Sequence, residues 1–85
     1  MLIIAHRVNK IFELENVPKN YGVEIDVRCM GKDLILNHEP HQPGDKLEDY
    51  LNKFNHKFII FNIKEAGIEK EVIEKKREVN YLYSL

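Results

Sequence analysis

The chain has no tryptophan, one cysteine, three prolines and four glycines in 85 residues. The single cysteine, Cys29, excludes an intramolecular disulfide, and its neighbours lack the C-x-x-C spacing of a metal knuckle. Charge of one sign is also missing. Thirteen Lys and Arg stand against fourteen Asp and Glu, so no basic footprint for nucleic acid or anionic membrane exists in the totals. An anionic ligand has to be recognised by a few local groups. Long hydrophobic runs are absent too: the N-terminal one covers Leu2 to Ala5 before His6 and Arg7. A signal-peptide core needs ~7–15 apolar residues and a membrane span ~20. The reading is therefore a protein with no span and no export signal, for which a reducing, cytoplasmic setting is the default.

What is present is an alternation of apolar runs with helical patterns. Leu2 to His6 reads as a first strand, and Ile11 to Val17 as a short helix stopped by Pro18. Val23 to Cys29 reads as a second strand, extended by a tight turn at Met30 to Asp33 and a hairpin strand from Leu34 to His38. Glu39 to Asp45 holds Pro40, Pro43 and Gly44 and is a loop. Leu47, Tyr50, Leu51 and Phe54 then lie at i, i+3, i+4 and i+7, which predicts a helix over 46–55 with Asp45 as its N-cap. A third strand over 57–64, a surface helix over 68–78 and a last strand over 81–85 complete the order. Alternation of this kind predicts an α/β fold with a parallel sheet built from βα units, with a short hairpin after the second strand.

The three main strands share a second feature: each is apolar first and polar last. His6-Arg7, Glu24-Ile25-Asp26 and Asn62-Ile63-Lys64 close them in turn. Parallel sheets place ligand sites at the carboxyl ends of their strands. By strand parity Leu2, Ile4 and His6 share a face, as do Glu24, Asp26 and Arg28, and Ile60, Asn62 and Lys64. Were those faces to converge, a histidine, two carboxylates, an amide and a lysine would meet at one rim. Two carboxylates and an amide oxygen are hard donors suited to Mg²⁺ or Ca²⁺, and Arg7 and Lys64 supply positive charge for phosphate oxygens. Parity alone leaves the alternative open, in which Val23, Ile25 and Val27 form the buried face and the carboxylates lie in solvent.

Four motifs in order carry a resemblance. His6-Arg7, Glu24-Ile25-Asp26-Val27, Asn37-His38-Glu39-Pro40 and Asn62-Ile63-Lys64 resemble the glycerophosphodiester phosphodiesterase family of metal-dependent TIM barrels. The resemblance spans almost the whole chain. It implies the first half of a (βα)8 barrel, since a complete one takes about 250 residues. It implies His6 and His38 as general acid and base, Glu24, Asp26 and Asn62 at the metal position, and Arg7 and Lys64 on phosphate. A small phosphodiester substrate, a divalent cation and a place in lipid metabolism follow from it. Two departures stand out: Val8 replaces the family's glycine after His-Arg, and Asn62 replaces its glutamate, which removes a charge from the metal site.

Three functions are consistent with this sequence. The first is a phosphodiester hydrolase of that type, truncated or degenerate. The second is a non-catalytic binder of phosphate or sugar phosphate, and the third a half-barrel assembly module whose edges close by homodimerisation. Taken singly the residues have plainer readings: His6 as a core-edge histidine, His38 as loop composition, Lys64 as a solvent lysine and Arg28 as an ion-pair partner of Glu24 or Asp26. His41 and His56 read as surface residues, and Glu69 to Glu78 as a solvated helix face.

Overall fold

A computed structural model describes residues 2–75 and 79–84. The elements are β1 (Ile4–Ala5), α1 (Ile11–Leu14), β2 (Gly22–Met30), β3 (Asp33–Leu36), α2 (Leu47–Lys53), β4 (Phe58–Ile63), α3 (Glu69–Lys75) and β5 (Tyr81–Ser84). The chain is a small compact α/β structure with a mostly parallel sheet. The parallel strands run in the order β1-β2-β4-β5, and β3 pairs antiparallel with β2. Residues 76–78 and 85, the ends of the last expected helix and strand, lie outside the described residues. None of the described helices is long and apolar enough to cross a membrane.

One edge of β2 explains why β1 is so short. Its first residues pair with β1, Ile4 to Gly22 and Ala5 to Val23, while Val27 to Met30 pair with β3 along the same edge. Between the two, the chain leaving β1 stays on the edge without being a strand. The Val8 amide donates to the Glu24 carbonyl at 3.0 Å, and the Asn37 amide to the Asp26 carbonyl at 3.1 Å. The hairpin turn is two residues long, with Gly31 at φ +62°. A positive φ at the first central position is the geometry that glycine serves in a II′ hairpin turn.

Sheet parity resolves into two different faces. Val23, Ile25, Val27, Ile59, Phe61 and Ile63 form one face, packed with Leu14, Leu47, Tyr50, Leu51, Ile68 and Val72 from the three helices and the loop before α3 in a single core cluster. Burying side chains of this size stabilises by about 1.5–3 kcal/mol each. The even-numbered residues make the other face, where Glu24, Arg28, Phe58, Ile60 and Asn62 are half-buried. The valine and isoleucine face of β2 is buried as one sequence reading has it, but the carboxylates opposite do not lie in solvent as that reading requires. The valine and isoleucine face is the core, and Asp26 on the opposite face is nevertheless fully buried.

Several element ends differ from the sequence reading for local reasons. The first helix stops at Leu14, because Asn16 and Val17 turn back with i to i−3 bonds to Glu13 and Leu14 ahead of Pro18. Asp45 does not cap α2, whose N-cap is Lys46 with no side-chain bond. Asp45 Oδ2 instead accepts from the amide of Ile11, at 2.7 Å, the first residue of α1. His56, read as a surface residue, is buried with Nε2–H donating to the Val17 carbonyl at 2.9 Å.

Candidate functional site

Asp26 is the one buried carboxylate among the described residues, and it organises the polar end of the sheet. Its Oδ2 accepts from Asn9 Nδ2 at 3.0 Å, and its own backbone amide donates to Asn9 Oδ1 at 2.8 Å. Its Oδ1 accepts from Asn62 Nδ2 at 3.3 Å and faces Lys64 Nζ at 3.7 Å. The strands dictate this grouping. Asp26 and Asn62 are register partners in the parallel ladder, and Lys64 follows two residues on, with its amide bonded to the Val27 carbonyl. Burying a carboxylate is costly unless it is paired and hydrogen-bonded, and both conditions are met.

Glu24 lies two residues before Asp26 on the same face of β2, as period-two geometry requires. Its Oε1 is 3.3 Å from Nδ1 of His6, which extends past the end of β1 and is largely exposed. Arg7 follows with φ +54°, a left-handed conformation uncommon outside glycine. Arg7 lines a groove of about 530 Å³ with Lys10, Phe12, Asn37 and His38 among its other walls. His38 Nδ1 is 3.4 Å from Glu39 Oε1.

The seven residues singled out in the sequence thus fall into two adjoining groups. Glu24, Asp26, Asn62 and Lys64, with His6 against Glu24, lie on the open face of β2 and β4. Arg7 and His38 line the groove beside them, and Asn9 belongs to both, since it also lines the groove. Asn9 was missed by sequence reasoning, and its local signal is weak: an asparagine in a loop has many uses.

Arg28 and Glu65 form a third feature. Arg28 donates through Nε to the Asn37 carbonyl at 3.2 Å and through Nη2 to the His38 carbonyl at 2.9 Å. Its ion-pair partner is Glu65 at 3.6 Å, not Glu24 or Asp26. Arg28 therefore fixes the backbone that presents His38. Glu65 Oε1 also accepts from the amide and thiol of Cys29, at 2.8 and 2.9 Å. That shared hydrogen bond pushes the thiol up and is the leading cause holding the Glu65 carboxyl down.

The carboxylates of Glu24 and Asp26 and the amide oxygen of Asn62 are hard donors of the type that Mg²⁺ and Ca²⁺ take, and Mg²⁺ is commonly held by one or two carboxylates with water and substrate completing the shell. Both Asp26 oxygens already accept N–H bonds, from Asn9 and Asn62, and Oδ1 also faces the Lys64 ammonium, so a cation there would compete with these groups. Among the described residues no three His, Cys, Asp or Glu side chains form a group that could hold a metal ion by themselves. Comparison with protein-family models, with curated proteins and with solved structures returned no match.

Proposed function

We propose that the carboxyl edge of this sheet is a phosphodiester site, with cation-assisted hydrolysis of the glycerophosphodiester phosphodiesterase type as its reaction. The observation that carries the reading is the adjacency of Glu24 and Asp26 on β2 with Asn62 in register on β4, flanked by His6 and Lys64. The strand order β1-β2-β4-β5 with crossover helices is compatible with an opening half of a (βα)8 barrel, a fold whose polar strand ends gather around one rim.

In this reading Glu24, Asp26 and Asn62 hold Mg²⁺ or Ca²⁺. The cation, when bound, neutralises charge growing on the phosphoryl oxygens. The remaining work falls to the chain's own groups. Arg7 and Lys64 attract and orient the anionic diester through charge-assisted hydrogen bonds. Glu24 engages Nδ1 of His6, so Nε2 is the nitrogen that exchanges a proton with the entering or leaving oxygen. His38 takes the complementary proton, held in place by the grip of Arg28 on its carbonyl.

The test is release of p-nitrophenol from bis(p-nitrophenyl) phosphate with Mg²⁺ or Ca²⁺. His6→Ala is expected to lower turnover by about 10²-fold, in line with removal of a general acid or base. Equal turnover in the presence of chelator would reject the cation's role.

A second reading has its own observation. Asn62 turns its amide nitrogen, a donor, toward Asp26, and Lys64 already provides a positive charge there. Such a site binds a phosphate ester without cleaving it. Saturable binding with no product and no dependence on cation or on His38 would select this reading over the enzyme.

A further inference from the structure

Beside the Asp26 cluster lies the groove of about 530 Å³, within the ~300–1,000 Å³ of small-molecule sites, and its chemistry differs from that of the cluster. Arg7 and Lys10 bring positive charge to its mouth, with the His38 imidazole beside them. Its interior is apolar: Leu36 forms part of the lining while itself buried, and Phe12 and Pro43 stand as walls. Phe12 is 63% exposed, a large aromatic ring held in solvent, with Lys10 Nζ 5.6 Å from its centroid.

The walls are tied to one another before any ligand arrives. Asp45 Oδ2 binds the first amide of α1, Asn37 Nδ2 donates to the Pro43 carbonyl at 2.9 Å, and the Leu36 amide donates to the Asp45 carbonyl at 2.9 Å. Gly44 allows the close approach: a Cβ there would collide with the Leu36 carbonyl oxygen. A preorganised groove loses less ordering entropy on binding than one that has to form. Glu13, an exposed acidic residue of α1, also lines the groove and disfavours a second negative charge beside it.

We infer, on the basis of the phosphodiester reading of the adjoining cluster, that this groove receives the alcohol portion of the substrate and selects a ring-sized apolar ester group. The phosphate sits at the cationic mouth, within reach of Arg7 and His38, and the ester group lies against Phe12, Pro43 and Leu36. Specificity is then set by an aromatic platform on α1 and by the β3–α2 loop. Small polar alcohols gain nothing from it.

The test compares two inert probes, diphenyl phosphate and dimethyl phosphate, by calorimetry and by amide chemical-shift mapping on the full chain. Diphenyl phosphate is expected to bind at least tenfold more tightly, with shifts at Phe12, Leu36 and Gly44. Phe12→Ala should erase that preference by weakening diphenyl phosphate far more than dimethyl phosphate, and Phe12 is 63% exposed, so its removal takes little from the core. Arg7→Ala should weaken both probes. Equal affinity of the two probes for the unmodified chain overturns the groove assignment alone. So do shifts confined to a second, mainly apolar pocket elsewhere on the chain, lined by Leu2, Phe58, Asn80, Tyr81 and Leu82. Failure of both probes to bind overturns the phosphodiester reading with it.

Discussion

Asn9 holds Asp26 at both ends of one side-chain amide, its oxygen on the Asp26 backbone amide and its nitrogen on the Asp26 carboxylate. The first bond substitutes for a strand partner on the edge of β2 that β1 has already left. The second satisfies a buried charge. One side chain thereby couples the loop that carries His6 and Arg7 to the centre of the polar cluster.

Replacing Asn9 with Ala is expected to be costly for that reason. A buried amide and a buried carboxylate oxygen each lose a partner, and leaving such a group unsatisfied costs about 1–3 kcal/mol. We expect a loss of about 2–4 kcal/mol in urea unfolding, with Asn9→Asp at least as severe through like-charge repulsion. A loss below about 0.5 kcal/mol, the level of an ordinary surface substitution, would contradict the clamp.

Lys64 is the countercharge of Asp26, and the two differ in exposure: the Asp26 side chain is 1% exposed and that of Lys64 is 28%. Lys64→Met leaves a buried carboxylate with neutral partners only. The cost should fall at or below the lower end of the about 3–5 kcal/mol seen when a fully buried pair is broken, because Lys64 is partly solvated. Adding Asp26→Asn to Lys64→Met should restore most of the loss. If the double variant is no more stable than Lys64→Met alone, the pairing is not what holds the cluster.

Tyr50 sets the β1–α1 segment from below. Its hydroxyl donates to the Val8 carbonyl at 2.6 Å, and burial pushes the phenol well above its ordinary value. Tyr50→Phe removes the donor and leaves the carbonyl with no replacement from the phenylalanine, at an expected cost of about 1–2 kcal/mol. The same variant should leave the Asn9 contacts in place, so the amide resonances of Glu24 and Asp26 should move little. Large shifts there would show that Val8 and Asn9 are positioned together.

The Cys29–Glu65 pair gives a pH signature. Glu65 is held below the ordinary glutamate range, so its contribution to stability is present at neutral pH and lost as pH falls through and below about 4.3. The thiol is pushed up, so its contribution is present below about 8.5 and lost as pH rises beyond that. At pH 8 Cys29 should react with a disulfide reagent more slowly than free cysteine despite its exposure. Glu65→Gln keeps an acceptor oxygen and removes the charge, and it should speed the reaction several-fold. An unchanged rate would mean that Glu65 does not govern the thiol.

The sequence by itself determined the alternation of strands and helices, since apolar periodicity of two and of 3.6 residues is local information. It also determined that Glu24 and Asp26 share a face of one strand and that Gly31 turns a hairpin. What it left undecided was which face of β2 would be buried. The tertiary structure answered that neither face is simply exposed: the helices cover Val23, Ile25 and Val27, while Asn9, Asn62 and Lys64 cover Asp26. Asp45 shows the same limit. Its sequence position suits the cap of α2, yet it binds α1, 34 residues away. His56 reads as a polar loop residue and is buried because the Val17 carbonyl, 39 residues distant, is there to accept its proton. Each of these outcomes depends on partners far apart along the chain, and local pattern carries no record of them.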